Sequence, residues 1–371
     1  MQFVISKAIL AKTLSHLYRI VEKKSTIPVL SNIKIEADGA EVKFTANNTD
    51  LEIVDMAEGQ VSDPGRTTIP VHVMYDIVKK LPEGDISIKS APDGSQVVIR
   101  AGQAEFKLPT LPVDDFPVMS ATSMPFKFDL PRDDLVKLID RTRFAVSTEE
   151  TRFFLNGIYL HTLEVGGKEL LRSVATDGHR LARLDVAAPA DAKGMPGIIV
   201  PRKVVVELRS LLDDTSSDIK VEVSETKARF SFGGTTLTSK LIDGKFPDYE
   251  KVIPTTNDKA LEVDCKLFKE AVDRVSSVSY EKSRAIKLSI SKNKLTLLAS
   301  TPDSGSGAED LEVVYASEPM EIGFNSRYLL DIADQIDGKF AKFMISDPSS
   351  PAIITELTGS EAVYVLMPMR I

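Results

Sequence analysis

"SKAILAKTLSHLYRIVEKK" (residues 6–24) sets Ile9, Leu10, Leu14, Leu17, Ile20 and Val21 at spacings of three and four, which puts them on one face of a helix. Similar segments return as "PRDDLVKLIDRTRFAVS" (131–147) and "CKLFKEAVDRVSSVSYEKS" (265–283). In the second, Pro131 suits a first helical turn, and Leu135, Leu138 and Ile139 follow on one face. Roughly 60–70 residues after each opener a further helix is predicted: "PVHVMYDIVKKL" (70–81), "PRKVVVELRSLL" (201–212) and "NSRYLLDIADQI" (325–336). Pro70 and Pro201 begin two of these, and Asn325 is a candidate cap for the third.

Between the helices lie short alternating runs such as "IKIEA", "VKFTA", "ISIKS", "VVIRA", "IKVEV", "ARFSF" and "KFMIS". Their period of two, broken by Gly, Asn and Asp, reads as half-buried antiparallel strands. The unit is one helix followed by a run of strands, six times over, in three pairs. Phe116-Pro117 and Phe246-Pro247 close two of the pairs. A period of about 125 residues is far too long for a solenoid. The expected fold class is α+β: three similar domains at 1–123, 124–254 and 255–371, each of two helix-plus-antiparallel-strand units.

Composition narrows the class further. The chain has 371 residues, 43% of them hydrophobic and 27% charged, which is ordinary for a globular protein. Its start, "MQFVISKAIL", lacks the charged and apolar regions of a signal peptide, and no run approaches the length of a membrane span. Cys265 is the only cysteine, so a reducing cytoplasm is expected.

The formal net charge of -8 at first argues against nucleic acid, but its distribution matters more than its mean. The six helical stretches carry about +8 in all, with +4 on residues 5–24 alone, so the rest of the chain holds about -16. Helices gathered on one side would make a basic lining against an acidic exterior, able to attract phosphate backbone without reading sequence. Trp is absent and aromatics total 6%, so stacking platforms for single strands are sparse and duplex is the expected form.

The stretch "VATDGHRLARL" (174–184) invites an enzymatic reading, because Thr176, Asp177, His179 and Arg180 cluster around Gly178. A hydrolase-type enzyme using Asp177 and His179 is the alternative to a binding protein. It lacks support: no G-x-S-x-G elbow exists, Cys265 lies in a helical run, and the four histidines form no H-E-x-x-H. "VGGKE" (165–169) and "SGSG" (304–307) match neither phosphate-loop nor dinucleotide fingerprints. Asp177-Gly178 equally suits a tight hairpin corner or a binding surface. A purely structural or carbohydrate-binding β-rich protein is a third class.

The C terminus reads "AVYVLMPMRI", with Val363, Val365, Met367 and Met369 alternating as a final strand. Pro368 interrupts its ladder, and the methionines offer an adaptable apolar surface suited to short peptides.

At these residues the chain resembles the bacterial sliding clamps, the β subunits of DNA polymerase III. The resemblance rests on "IPVLSNI" (27–33), "RFFLNGIYL" (152–160), "VATDGHRLA" (174–182), "VPRK" (200–203), "SKLIDGKFPDY" (239–249), "MEIGFN" (320–325) and "YVLMPMRI" (364–371). It spans the whole chain in order. It implies a non-enzymatic, homodimeric, head-to-tail ring of six domains, with helices lining the hole and sheets outside. Such a ring encircles double-stranded DNA without sequence specificity and serves as a processivity factor in the cytoplasm. Implied partners are the DNA polymerase III catalytic subunit, the clamp loader, and other polymerases and repair factors bearing short peptide motifs. No cofactor, metal or membrane is implied.

Residue by residue, the resemblance implies a partner-peptide pocket of Arg152, Leu155, Thr176, Gly178, His179, Leu181, Pro247, Val252, Met367, Pro368, Met369 and Arg370. Ser350 is a further wall residue, and Lys251 stands where the family often has Arg. Lys24, Arg202 and Lys203 would face DNA. At the subunit boundary, Phe106 and Leu108 would meet Ser277 and Val278 of the neighbour, with Arg100 and Lys107 facing Asp303, Glu309 and Asp310. Sheet pairing and apolar contact are expected to dominate that boundary.

Overall fold

Six helices stand at the six predicted places: α1 (Lys7–Leu17), α2 (Val71–Lys80), α3 (Arg132–Asp140), α4 (Arg202–Leu211), α5 (Cys265–Ser276) and α6 (Ser326–Ala333). The structure is a computed structural model that describes the whole chain except residues 24, 121, 280–283, 302–304, 359–360 and 371. Three of the helices begin on side-chain caps, which satisfy amide groups that the first turn leaves open. Ser6 Oγ accepts from Ile9 N–H, Asp264 Oδ1 from Leu267 N–H, and Asn325 Oδ1 from Arg327 and Tyr328 N–H. α1 stops at Leu17 although its apolar period runs on to Val21. Ile20 and Val21 stay buried outside the helix, so the periodicity reported burial beyond the last helical turn.

The described chain forms two compact units. The first takes residues 1–132, 189–195 and 206–241. Its five-stranded sheet runs in the order Gln60–Asp63, Gln2–Ser6, Asp85–Ser90, Gln96–Ala101, Ala104–Pro109. Its eight-stranded sheet runs Phe126–Leu130, Ile219–Val223, Lys227–Phe232, Thr235–Lys240, Leu51–Glu58, Glu41–Asn47, Asn32–Asp38, Gly65–Pro70. Every pairing is antiparallel; the seam between Thr235–Lys240 and Leu51–Glu58 sets Leu237 opposite Ile53, both fully buried. Leu10, Leu14 and Leu17 of α1 join that core, and Phe3 meets Phe44 edge to face at 6.5 Å.

The second unit takes residues 133–188, 196–205 and 242–371. Its eight-stranded sheet runs Ile198–Pro201, Gly157–Val165, Lys168–Thr176, Arg180–Ala187, Val363–Leu366, Ala352–Glu356, Phe340–Ile345, Lys259–Asp264. Its four-stranded sheet runs Gly305–Glu312, Lys294–Thr301, Ala285–Ser291, Met320–Asn325. The segment 126–240 thus gives strands to both long sheets, which is why compactness falls into two units around a threefold repeat.

The final strand ends at Leu366, short of the alternation read from sequence. Pro368 has no amide to continue the ladder. Beyond it, among the described residues, Met369 alone pairs again, donating its N–H to Gly323 O at 2.8 Å.

Candidate functional site

The turn 177–179 joins the strands Lys168–Thr176 and Arg180–Ala187, and side chains fix its shape. Asp177 Oδ1 accepts from the N–H groups of His179 (2.9 Å) and Arg180 (3.0 Å). Thr176 Oγ1 donates to Arg180 O at 2.7 Å and accepts from Gly178 N–H at 3.1 Å. Gly178 sits at φ +89°, a conformation that favours glycine. The Asp177 carboxylate is consumed in building the turn, so the residues that looked catalytic are its frame.

Arg180 locks the turn from behind. Its guanidinium contacts Asp177 (3.1 Å), Asp331 of α6 (2.5 Å) and Phe144 O (2.7 Å), and lies 4.3 Å from the Tyr328 ring centre. With a 9% exposed side chain, it holds three separate segments by charge-assisted bonds and ring stacking.

In front of the turn opens a groove of about 370 Å³. Arg152, Leu155, Thr176, Gly178, His179, Leu181, Pro247, Val252 and Met367 line it, all of them expected from sequence. Pro368, Met369 and Arg370 are not among its lining residues; the chain has left the strand by then. Phe154, Arg180, Asp248, Tyr249 and Val365 also line it, and the sequence reading missed them as pocket residues. Ser350 stands outside this lining, its hydroxyl donating to Asp347 at 2.6 Å.

The groove floor continues into a buried cluster of Leu155, Val174, Leu181, Ile199, Phe246, Tyr249 and Val365. Tyr159 stacks on Phe246 with centroids 4.8 Å apart. Beneath Tyr249 lies a polar anchor. Arg172, whose side chain is 5% exposed, reaches Asp185 at 2.6 and 2.7 Å, Tyr249 Oη at 3.1 Å, and Glu250. His161 Nε2 also meets Tyr249 Oη, at 2.9 Å. Burial pushes the Tyr249 phenol up to about 12, against the pull of Arg172. Burial likewise lowers His161 below its ordinary value. The floor is thereby held neutral at Tyr249 and His161 while Arg172 and its carboxylates compensate one another.

On the rim, Val252 and Met367 are 51% and 41% exposed. Apolar side chains left open around an apolar floor are the signature of a surface that another chain covers.

Of the expected DNA-facing residues, Arg202 and Lys203 are exposed at the start of α4, and Lys24 lies outside the described residues. Phe106 is exposed on Ala104–Pro109, an edge strand, whereas Leu108 is only 7% exposed. Ser277 is exposed and Val278 half-buried just after α5. Arg100 and Lys107 are drawn to Glu105 of their own sheet, Glu309 to Arg274 and Asp310 to Lys294; Asp303 lies outside the described residues.

The fold and groove define a class: a three-domain clamp of helices and antiparallel sheets with an apolar groove beside a hairpin turn. Comparisons with known proteins name the family. The N-terminal, central and C-terminal domain families of the DNA polymerase III β subunit match residues 1–120, 129–248 and 250–370. The β sliding clamp of Caulobacter vibrioides is 47% identical over 372 residues, covering all of both chains, and that of Pseudomonas aeruginosa is 37% identical with the same coverage. The crystal structure of a Bartonella birtlesii clamp bound to griselimycin superposes over the full length of both chains with a TM-score of 0.97 at 45% identity. The chain belongs to the β sliding clamp family of bacterial DNA polymerase III, which serves DNA replication as a processivity factor and is not an enzyme.

Proposed function

We propose that two copies of this chain close head to tail into a ring around duplex DNA, helices toward the hole and sheets outward, in the bacterial cytoplasm. Each copy contributes domains 1–123, 124–254 and 255–371. The ring is retained on DNA by topology and tethers the polymerase III catalytic subunit, the clamp loader, and other polymerases and repair factors.

The observation that carries this reading is the apolar groove in front of the 177–179 turn, with exposed Val252 and Met367 on its rim. A short apolar peptide fits its size and lining, and the Bartonella relative's griselimycin, a peptide-like ligand, supports the same chemistry here. Among the described residues, the outer strands Ala104–Pro109 and Gly305–Glu312 each pair on one side alone, which supports closure of the ring by strand pairing between copies. Lys24, Arg202 and Lys203 would meet phosphates.

The test has two arms. Protein loaded onto nicked circular DNA should be retained, then lost when the circle is cut; persistence on the linear product would mean simple binding. His179→Ala should weaken peptide binding several-fold and leave retention on circles intact. Unchanged peptide affinity in that variant would remove His179 from the groove.

A further inference from the structure

A second cavity of about 510 Å³ borders the 177–180 turn in the same unit. His179 and Arg180 line both, so the turn is a partition between them. The second cavity has a different chemistry. Arg143, Arg202, Arg284 and Arg327 join Arg180 in its walls, against the carboxylates Glu149, Asp177 and Asp331.

Those carboxylates are already engaged. Asp177 and Asp331 are both bound by Arg180, and Glu149 by Arg152 at 2.8 Å. Among the described residues, Arg202, Arg284 and Arg327 make no side-chain ion pair or hydrogen bond, and all three are exposed. Asn325 and Tyr328 also line the cavity, bringing the positive end of α6 to it. A chain of net charge -8 has gathered surplus positive charge in a concave site that touches the groove.

We propose that this cavity receives acidic side chains flanking the apolar segment that a partner lays in the groove. The inference rests on the groove's reading as a peptide site and adds a selection rule to it: partners with Asp or Glu beside their apolar motif dock more tightly. A cavity of this volume accommodates side chains. A duplex presents its phosphates on a convex cylinder, which meets the arginines at the rim at most. Guanidinium groups suit carboxylates by their paired donors.

The experiment uses the full-length protein and labelled peptides built on Leu-Leu-Leu-Phe. Each is extended through one Gly by Glu-Glu or by Gln-Gln, at the N-terminal or the C-terminal end. Fluorescence anisotropy should give roughly 3- to 10-fold tighter binding for Glu-Glu at one end, the size expected of two or three partly exposed ion pairs. The preference should collapse at about 0.5 M salt, where screening reaches within a few ångström. It should also vanish in Arg284→Glu/Arg327→Glu, whose affinity for the Gln-Gln peptide stays unchanged. Equal affinity of both peptides for the wild-type protein overturns the proposal, as does a preference that survives the double variant. Loss of DNA loading with the peptide preference intact would give the cavity to nucleic acid instead. If the Gln-Gln peptide fails to bind at all, the groove reading falls, and this proposal with it.

Discussion

A Cβ placed on Gly178 would lie 2.5 Å from Nη1 of Arg152, so the turn and that guanidinium are packed against each other with no spare room. Arg152 Nη2 meanwhile donates to Asp177 O at 3.0 Å, closing the turn onto the 3-10 segment Glu150–Leu155. Gly178→Ala therefore has two costs. A positive φ of +89° strains any side-chain-bearing residue, by about 1–2 kcal/mol, and Arg152 must swing away from a groove it lines. Urea denaturation should register the first effect and a several-fold loss of peptide affinity the second. An Ala variant that binds peptide normally would show that the contact with Arg152 is dispensable.

Arg172 is the buried charge on which the groove floor depends. Replacing it with Met leaves Asp185, whose side chain is 9% exposed, without its cation, and Tyr249 without its donor. Removing one partner of a buried pair costs about 3–5 kcal/mol, more than the pair contributes relative to an apolar substitute. Arg172→Met should lower unfolding stability by that order, and Arg172→Met/Asp185→Leu should recover part of it. Equal stabilities of the single and double variants would contradict the dependence on Asp185.

Two histidines titrate in opposite directions. His16 of α1 lies between Asp55 (2.8 Å) and Asp214 (3.0 Å), with Lys12 lining the same cavity. Burial opposes its charge, but the hydrogen bonds and charges of the two carboxylates outweigh burial and raise its pKa above the ordinary value. A raised folded pKa gives stability that is fully present below the unfolded value and is lost as pH rises through the folded one. His161 is lowered, chiefly by burial, so its contribution is present above the unfolded value and is lost as pH falls. Proton NMR of the imidazole C–H signals should give midpoints on either side of 6.5, the value for an unperturbed His. His16→Gln should flatten the alkaline side of the stability profile and His161→Gln the acid side; coincident midpoints would refute both environments.

Much of this was legible because periodicity and capping are local. All six helices, and strands such as Ile219–Val223, follow from apolar spacing that neighbours in sequence specify by themselves. The groove's near walls were legible through the family resemblance of contiguous motifs. Tyr249 stood within one of those motifs, yet its role depends on Arg172, which lies 77 positions away on the strand Lys168–Thr176. Arg180 looked like one more polar residue of a turn; its partners Phe144 O and Asp331 come from distant segments. The arginine-lined cavity left no sequence signal, since positions 143, 202, 284 and 327 share no motif or spacing. The end of the last strand was misread because alternation continued in residue type after Pro368 had removed the amide needed to continue pairing.

The proposed subunit boundary should respond to apolar change more than to charge change. Phe106 is 37% exposed on the outer strand of its sheet, where a neighbouring copy would cover it. The charges of the proposed boundary are already paired within the chain: Arg100 with Glu105 at 2.7 Å and, on the edge strand Gly305–Glu312 of the second unit, Glu309 with Arg274 at 2.7 Å. Exposed pairs of this kind contribute little and are screened by salt. Covering the exposed third of the Phe106 side chain would contribute on the order of 1 kcal/mol, and the proposed ring would close through two such boundaries, so an unpaired carboxylate buried there would count twice. Phe106→Asp should therefore shift sedimentation from dimer to monomer at micromolar protein, whereas Glu105→Gln should leave the dimer nearly as it was across low and high salt. A dimer that survives Phe106→Asp but dissociates with rising salt would place the boundary's strength in ion pairs.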